Sequence, residues 1–161
     1  MKELTTKQFG DACEMCVVAE LMFAGHPAFK MPDGWRDYDI LVETDGGWTR
    51  IQVKGMRFDS RRRNRRQAGW WAFEPDNEWD WLALVYLNVD DRTRQTYLVP
   101  RCWALTSPNS FERPHGGRAI YRNNAQLSRF ANNFMLSDDP SGPRPRNRTP
   151  RWPDQASHRW Q

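Results

Sequence analysis

The sequence predicts an α/β fold: a mixed, partly antiparallel central sheet of four to five strands flanked by two main helices. Three observations carry this. Apolar residues recur at helical spacing from Thr6 to Ala24. Two β-rich segments, Tyr38 to Glu43 and Trp48 to Lys54, flank Asp45-Gly46, the dipeptide that supplies the positive φ angles of a tight hairpin. The most apolar run, Trp81 to Asn88, reads as a strand buried on both faces, with Gln95 to Val99 as its partner beyond the Asp90-Asp91 turn.

Each element has its local reason. Thr5 or Thr6 caps the first helix and Gly25 ends it. Phe9, Cys13, Cys16, Val17 and Ala24 share one face, and Val18, Leu21 and Met22 extend the apolar surface, so burial on more than one side is expected. The helix carries two carboxylates, Glu14 and Glu20, and spacing alone places Glu20 nearer the middle of the apolar face. Ala28 to Met31 can form a short strand, and the isolated His26 reads as a capping or surface residue. The tryptophans of Gly69 to Trp81 read as core or subunit interface before nucleic-acid stacking. Asn109 to Gly117, with His115, reads as a loop. Leu127, Phe130, Ala131 and Phe134 predict a second amphipathic helix over Asn124 to Leu136.

The 161 residues suggest one domain, 1–136. From residue 137 to 161, five prolines, five arginines and few aliphatics predict a disordered tail. The net charge is +4 and the pI about 9.2, which permits a nucleic-acid partner. Charge concentrates in Arg57 to Gln67, where Arg57, Arg61, Arg62, Arg63, Arg65 and Arg66 face only Asp59; this basic loop suits phosphate contact. Three cysteines and no apolar N-terminal core predict an intracellular, cytoplasmic protein, and no apolar run approaches the ~20 residues of a membrane span. Cys13-x-x-Cys16 lies inside the helical pattern with no second Cys or His pair beside it, which favours helix core over metal or redox chemistry.

The chemistry gathers on the hairpin. With Asp45-Gly46 at the turn, Glu43 opposes Trp48 and Asp39 opposes Gln52, and directly opposed side chains lie about 5 Å apart at Cβ. Lys54, two residues on, shares the face of Gln52, while Tyr38, Ile40, Ile51 and Val53 fall on the other. A carboxylate and an amide oxygen are hard ligands that suit Mg²⁺. An adjacent ammonium can hold a phosphate or orient a water.

Asp39, then Gln52-Val53-Lys54 after a hairpin, with Gly10-x-x-x-Glu14 on a preceding helix, resembles the PD-(D/E)xK nuclease superfamily over roughly Lys7 to Arg101. It most resembles the Gln-x-Lys variants, such as intron-encoded homing endonucleases, and more distantly Holliday-junction resolvases. Tyr38 stands where the motif's proline would be, and Gln52 replaces the usual acidic residue. The resemblance implies a restriction-endonuclease-like sheet and a Mg²⁺-dependent endonuclease acting on DNA, with Mn²⁺ as a substitute metal. It implies that Asp39 and the Gln52 amide hold the metal, with the Val53 carbonyl as a further ligand and Glu14 acting directly or through water. It implies that Lys54 orients the attacking water or steadies transition-state charge. It selects Glu14 over Glu20. A homodimer or higher oligomer is expected if both strands of a duplex are cut. The alternatives are a non-catalytic nucleic-acid-binding module, which would need only the arginines, and a ribonuclease or toxin-like effector.

Overall fold

The computed structural model describes residues 4–61, 69–108 and 110–136. The expectations for Arg62, Arg63, Arg65, Arg66 and the 137–161 tail lie outside these residues. Helix α1, Thr6–Phe23, opens with a capping box: the Thr5 hydroxyl accepts from the Gln8 amide, and the Gln8 side chain accepts from the Thr5 amide. Past its end, Gly25 adopts φ 94°. Only one stripe of α1 is buried, through Cys13, Val17 and Leu21, while Met15, Met22 and Phe23 are exposed. The expected burial on more than one side is therefore corrected: α1 caps one face of a sheet and has nothing across its outer side among the described residues.

The strands are β1 (Ala28–Lys30), β2 (Ile40–Thr44), β3 (Gly47–Phe58), β4 (Trp70–Phe73), β5 (Trp81–Asn88), β6 (Thr93–Pro100), β7 (Ser110–Glu112) and β8 (Arg118–Tyr121). They make a five-stranded sheet in the order β1-β2-β3-β5-β6 and a three-stranded sheet in the order β4-β8-β7. The larger sheet is mixed, because β3 and β5 run parallel and the other pairs antiparallel. The β2–β3 hairpin has the register expected from its turn, with Glu43 opposite Trp48 and Thr44 opposite Gly47. Strand β5 is buried on both faces. Trp81, Ala83 and Val85 pack with Ile40, Ile51 and Val53 under α1. Leu82 and Leu84 pack with Leu41, Trp71, Phe73, Trp79 and Ile120 beneath the smaller sheet.

Several expectations are corrected here. Asn109 to Gly117 is not simply a loop: Ser110–Glu112 is β7, and a turn with Gly116 and Gly117 at positive φ leads to β8. The second helix is not an α-helix over Asn124 to Leu136. It is one 3-10 segment, Ala125–Phe130, started by the Asn124 side chain accepting from the Gln126 amide. Its spacing of three residues brings Leu127 and Phe130 to the core, and the left-handed Asn132 follows it closely. The remaining helix, α2 (Arg101–Thr106), is short, so α1 is the one long helix of the described residues. Trp71, Phe73, Trp79 and Trp81 are core, which removes most of the aromatic segment as a subunit surface.

The margins of the larger sheet are the short β1 and the partly engaged β6. Strand β1 has three residues. Along β6, Tyr97 bridges Ala131 and the Asn132 amide donates to the Thr96 carbonyl at 2.9 Å.

Candidate active site

Strand β2 begins at Ile40, and the chain before it turns away through Asp37, a non-glycine residue at φ 76°. That turn corrects the face assigned to Tyr38. Strand alternation does not extend to it, and it packs with Leu41 and Leu82 rather than with Ile40 and Val53. Asp39 sits at the junction. Its amide donates to the Ile51 carbonyl at 2.9 Å, its carbonyl accepts from Met31, and its carboxylate accepts from the Val53 amide at 2.6 Å. The carboxylate is thereby tied to the residue between Gln52 and Lys54.

Strand β3 is held tightly against α1. A Cβ on Gly55 would lie 2.8 Å from Cys13 Sγ and 2.9 Å from Phe9 Cε1, so only glycine lets the helix approach here. Because Gly55, Val53 and Ile51 face α1, Gln52 and Lys54 point to the opposite face. Gln52 is 5% exposed. Its amide nitrogen donates to the Asp37 carbonyl at 3.4 Å, and its oxygen is buried with no hydrogen-bond donor among the described residues. Exchanging the amide atoms would set two acceptors together at Asp37, so the oxygen is the unpartnered atom. Lys54 is half-buried on β3 and forms no hydrogen bond or ion pair with the described residues.

Glu14 and Asp39 line one cleft of about 270 Å³, together with Lys7, Asp11, Lys30 and Asp33; Gln52 and Lys54 do not line it. Asp39 joins the two groups, since it lines the cleft and bonds the backbone beside both. Lys30 Nζ lies 3.0 Å from Glu14 and 3.2 Å from Asp33. Burial pushes the Glu14 carboxyl above the ordinary glutamate value; Lys30 pulls it down and the Asp39 charge pushes it up again. Its two carboxylate partners in turn raise the Lys30 ammonium.

Glu20 is elsewhere, paired with Arg94 of β6 at 2.5 Å. The spacing argument that made it the more buried carboxylate is corrected: the Glu20 side chain is 33% exposed and the Glu14 side chain 21%. The buried stripe runs through Cys13, Val17 and Leu21, and Glu14 lies beside it. Arg57 belongs to β3 rather than to a loop, and it and Arg61 lie near the buried Asp59, Arg61 at 2.9 Å. Cys13 is a buried thiol whose pKa burial pushes up to about 12, as suits helix core.

Sequence reasoning missed Lys30. The signal was the short strand itself, which puts Ala28 and Lys30 on the face that meets α1. Among the described residues no three His, Cys, Asp or Glu side chains converge as a metal cage. The candidate donors are instead the Glu14 and Asp39 carboxylates, which share the cleft, and the Gln52 oxygen on the opposite face of β3. As residue types they suit a hard divalent cation that keeps part of its water shell.

No family model matches the sequence, and no curated protein matches it. Among solved structures the chain is similar to a bacterial homing endonuclease, I-Ssp6803I. The identity is 16% and the TM-score 0.53, over 83% of this chain and 91% of that one. At that identity the likeness is one of fold: a nuclease-like, mixed α/β fold of the kind a homing endonuclease uses.

Proposed function

We propose that the protein is a Mg²⁺-dependent endonuclease hydrolysing DNA phosphodiester bonds, of the PD-(D/E)xK class in its Gln-x-Lys form. One observation carries the reading: the buried, donorless Gln52 oxygen on the strand whose next amide binds Asp39. A buried acceptor left unpaired costs about 1–3 kcal/mol, so its retention suggests a ligand. Asp39 and Glu14 would hold the ion in the cleft they share, and the Gln52 and Val53 oxygens would join them only through a rearrangement of this end of the hairpin on binding. When bound, a divalent cation of this kind supplies Lewis-acid stabilisation of phosphate charge and favours a nucleophilic hydroxide at neutral pH.

The chain's own groups have separable tasks. Lys54 offers an unpaired ammonium to a phosphate oxygen or to the attacking water. Lys30 offsets part of the desolvation that raises the Glu14 pKa. The arginines from Arg57 onward hold the backbone of the substrate through charge. The reading extends to a homodimer, since cutting both strands of a duplex takes two such sites. No helix of the described residues is long and apolar enough to cross a membrane.

The test is cleavage of plasmid, branched DNA and RNA with Mg²⁺, Mn²⁺, Ca²⁺ or chelator. Cutting of DNA with Mg²⁺ or Mn²⁺, and binding with little cutting in Ca²⁺, is expected, because Ca²⁺ holds ligands at longer and looser geometry. Undiminished cutting in chelator would remove the mechanism.

The two helix carboxylates separate cleanly. Glu14→Gln lowers cleavage at least about tenfold, ~1.4 kcal/mol of barrier, whereas Glu20→Gln retains most activity. The melting temperature of Glu14→Gln at neutral pH is unchanged or raised. The sign follows from its elevated pKa: the stability tied to the protonated carboxyl is present below the ordinary glutamate value and lost as pH rises through the higher folded value. A neutral isostere escapes that loss. Thermal melts beside rates at saturating Mg²⁺ decide it; an active Glu14→Gln with a folded, dead Glu20→Gln reverses the assignment.

A further inference from the structure

The smaller sheet has one face in the core and one turned outward. Trp71, Phe73 and Ile120 point in. By strand alternation Trp70, Ala72, Phe111, Ala119 and Tyr121 point out. The outer face of a small antiparallel sheet is ordinarily polar. This one carries three aromatic rings. Trp70 is directly opposite Tyr121, and Phe111 is directly opposite Ala119. Phe111 and Tyr121 stack at 4.5 Å with 24° between their planes, and Trp70 meets Phe111 edge-on at 6.2 Å. Ala119 is fully buried although it belongs to this outer face, as expected if the rings cover it. Tyr121 is 46% exposed.

Two guanidinium groups lie beside the aromatic side chains. Arg113 sits 5.3 Å over Trp70, and Arg122 sits 4.8 Å over Tyr86. The nearby carboxylate, Glu112, belongs to the opposite face, where Arg118 is its cross-strand partner. Tyr86 pairs with Met56 on β3, two residues beyond Lys54, on the face that Gln52 and Lys54 share. Arg122 thus leads from the ring surface toward the candidate active site. Outward aromatic rings beside guanidinium groups are what a single strand can use: bases stack on the rings and the backbone follows the positive charge.

We propose that the outward face of the smaller sheet, built on Trp70, Phe111 and Tyr121 with Arg113 and Arg122, is a stacking platform for unpaired bases of a DNA strand. The proposal rests on the DNA-endonuclease reading for its choice of DNA, and it deepens that reading by giving the enzyme a hold on a strand separated from its partner.

The experiment measures binding of the full chain, in chelator, to a fluorescein-labelled 20-nucleotide DNA strand, to the same strand as a duplex, and to the RNA of that sequence. Tyr121→Ala and Phe111→Ala are expected to weaken single-strand DNA binding about fivefold or more, the lower end of what stacking on one base gives. Tyr121→Phe should bind like the parent, and duplex affinity should change less than about twofold. Should Tyr121→Ala melt early, Tyr121→Leu keeps an apolar cover without an aromatic ring and gives the same comparison. Unchanged single-strand binding by the ringless variants, an equal loss on duplex, or tighter binding of the RNA strand overturns the platform. A Mg²⁺ cleavage assay on the same proteins keeps the two readings apart. Ring-dependent strand binding without any cleavage by the parent leaves the platform standing and the nuclease reading fallen. Cleavage with ring-independent binding does the reverse.

Discussion

Asp39→Asn yields a folded protein that has lost cleavage. The expected fall in turnover is at least about 10³-fold, ~4 kcal/mol of barrier. The substitution keeps the shape of the side chain, and the asparagine oxygen can still accept from the Val53 amide that the carboxylate now holds at 2.6 Å. The backbone bonds to Ile51 and Met31 are untouched, because they belong to the main chain of residue 39. What disappears is the charge of one of the two carboxylates, Asp39 and Glu14, offered to a cation in the cleft. Fold and function should therefore part: a melting curve close to that of the parent, with single-turnover cleavage near background. A variant that unfolded, or one that kept more than a tenth of the rate, would show that Asp39 is a structural brace for β3 and nothing more.

The largest effect on stability belongs to Trp79→Ala. Trp79 is fully buried between the two sheets, its indole N–H donates to the Glu74 carbonyl at 3.0 Å, and Phe73 meets its ring at 5.7 Å. Arg101 lies 4.7 Å over the same ring and donates to the Trp79, Asn77 and Pro75 carbonyls. Removing the indole leaves a cavity and strips one wall from a guanidinium whose pKa desolvation already lowers. A loss of about 3–5 kcal/mol is expected, a fall in melting temperature on the order of 10 °C. Trp79→Phe should lie between the two, since it keeps a ring but not the N–H. Chemical denaturation of the three proteins checks the order, and a Trp79→Ala midpoint equal to that of Trp79→Phe would mean that the cavity collapses.

What could be read in the sequence, and what could not, divides along local and non-local lines. The hairpin register was legible because Asp45-Gly46 fixes it within a few residues. Strand β5 was legible because eight successive residues, Trp81–Asn88, are nearly all apolar. The smaller sheet was not legible: β7 has three residues and β8 four, too few for alternation to stand out, and the pairing of β8 with β4 spans dozens of residues. The face of Tyr38 was misjudged because Asp37 leaves the strand region, a backbone event that no periodicity announces. Of the site, the motif spacing led to Glu14, Asp39, Gln52 and Lys54. It did not reveal that the first two line a cleft while the last two lie on the other side of β3. Lys30 was invisible for the same reason as β8, since its importance comes from packing against an element some sixteen residues earlier.

The short and partly engaged margins of the larger sheet bear on how this chain meets other chains. A sheet recruits a neighbour through a row of unspent backbone donors and acceptors at its rim. Here β1 offers three residues, and the Tyr97–Ala131 bridge and the Asn132 amide already engage β6. Association by main-chain zippering is thereby discouraged along the rims. Side chains then become the more specific means of recognition, and the short or partly engaged rims leave less backbone open to indiscriminate growth.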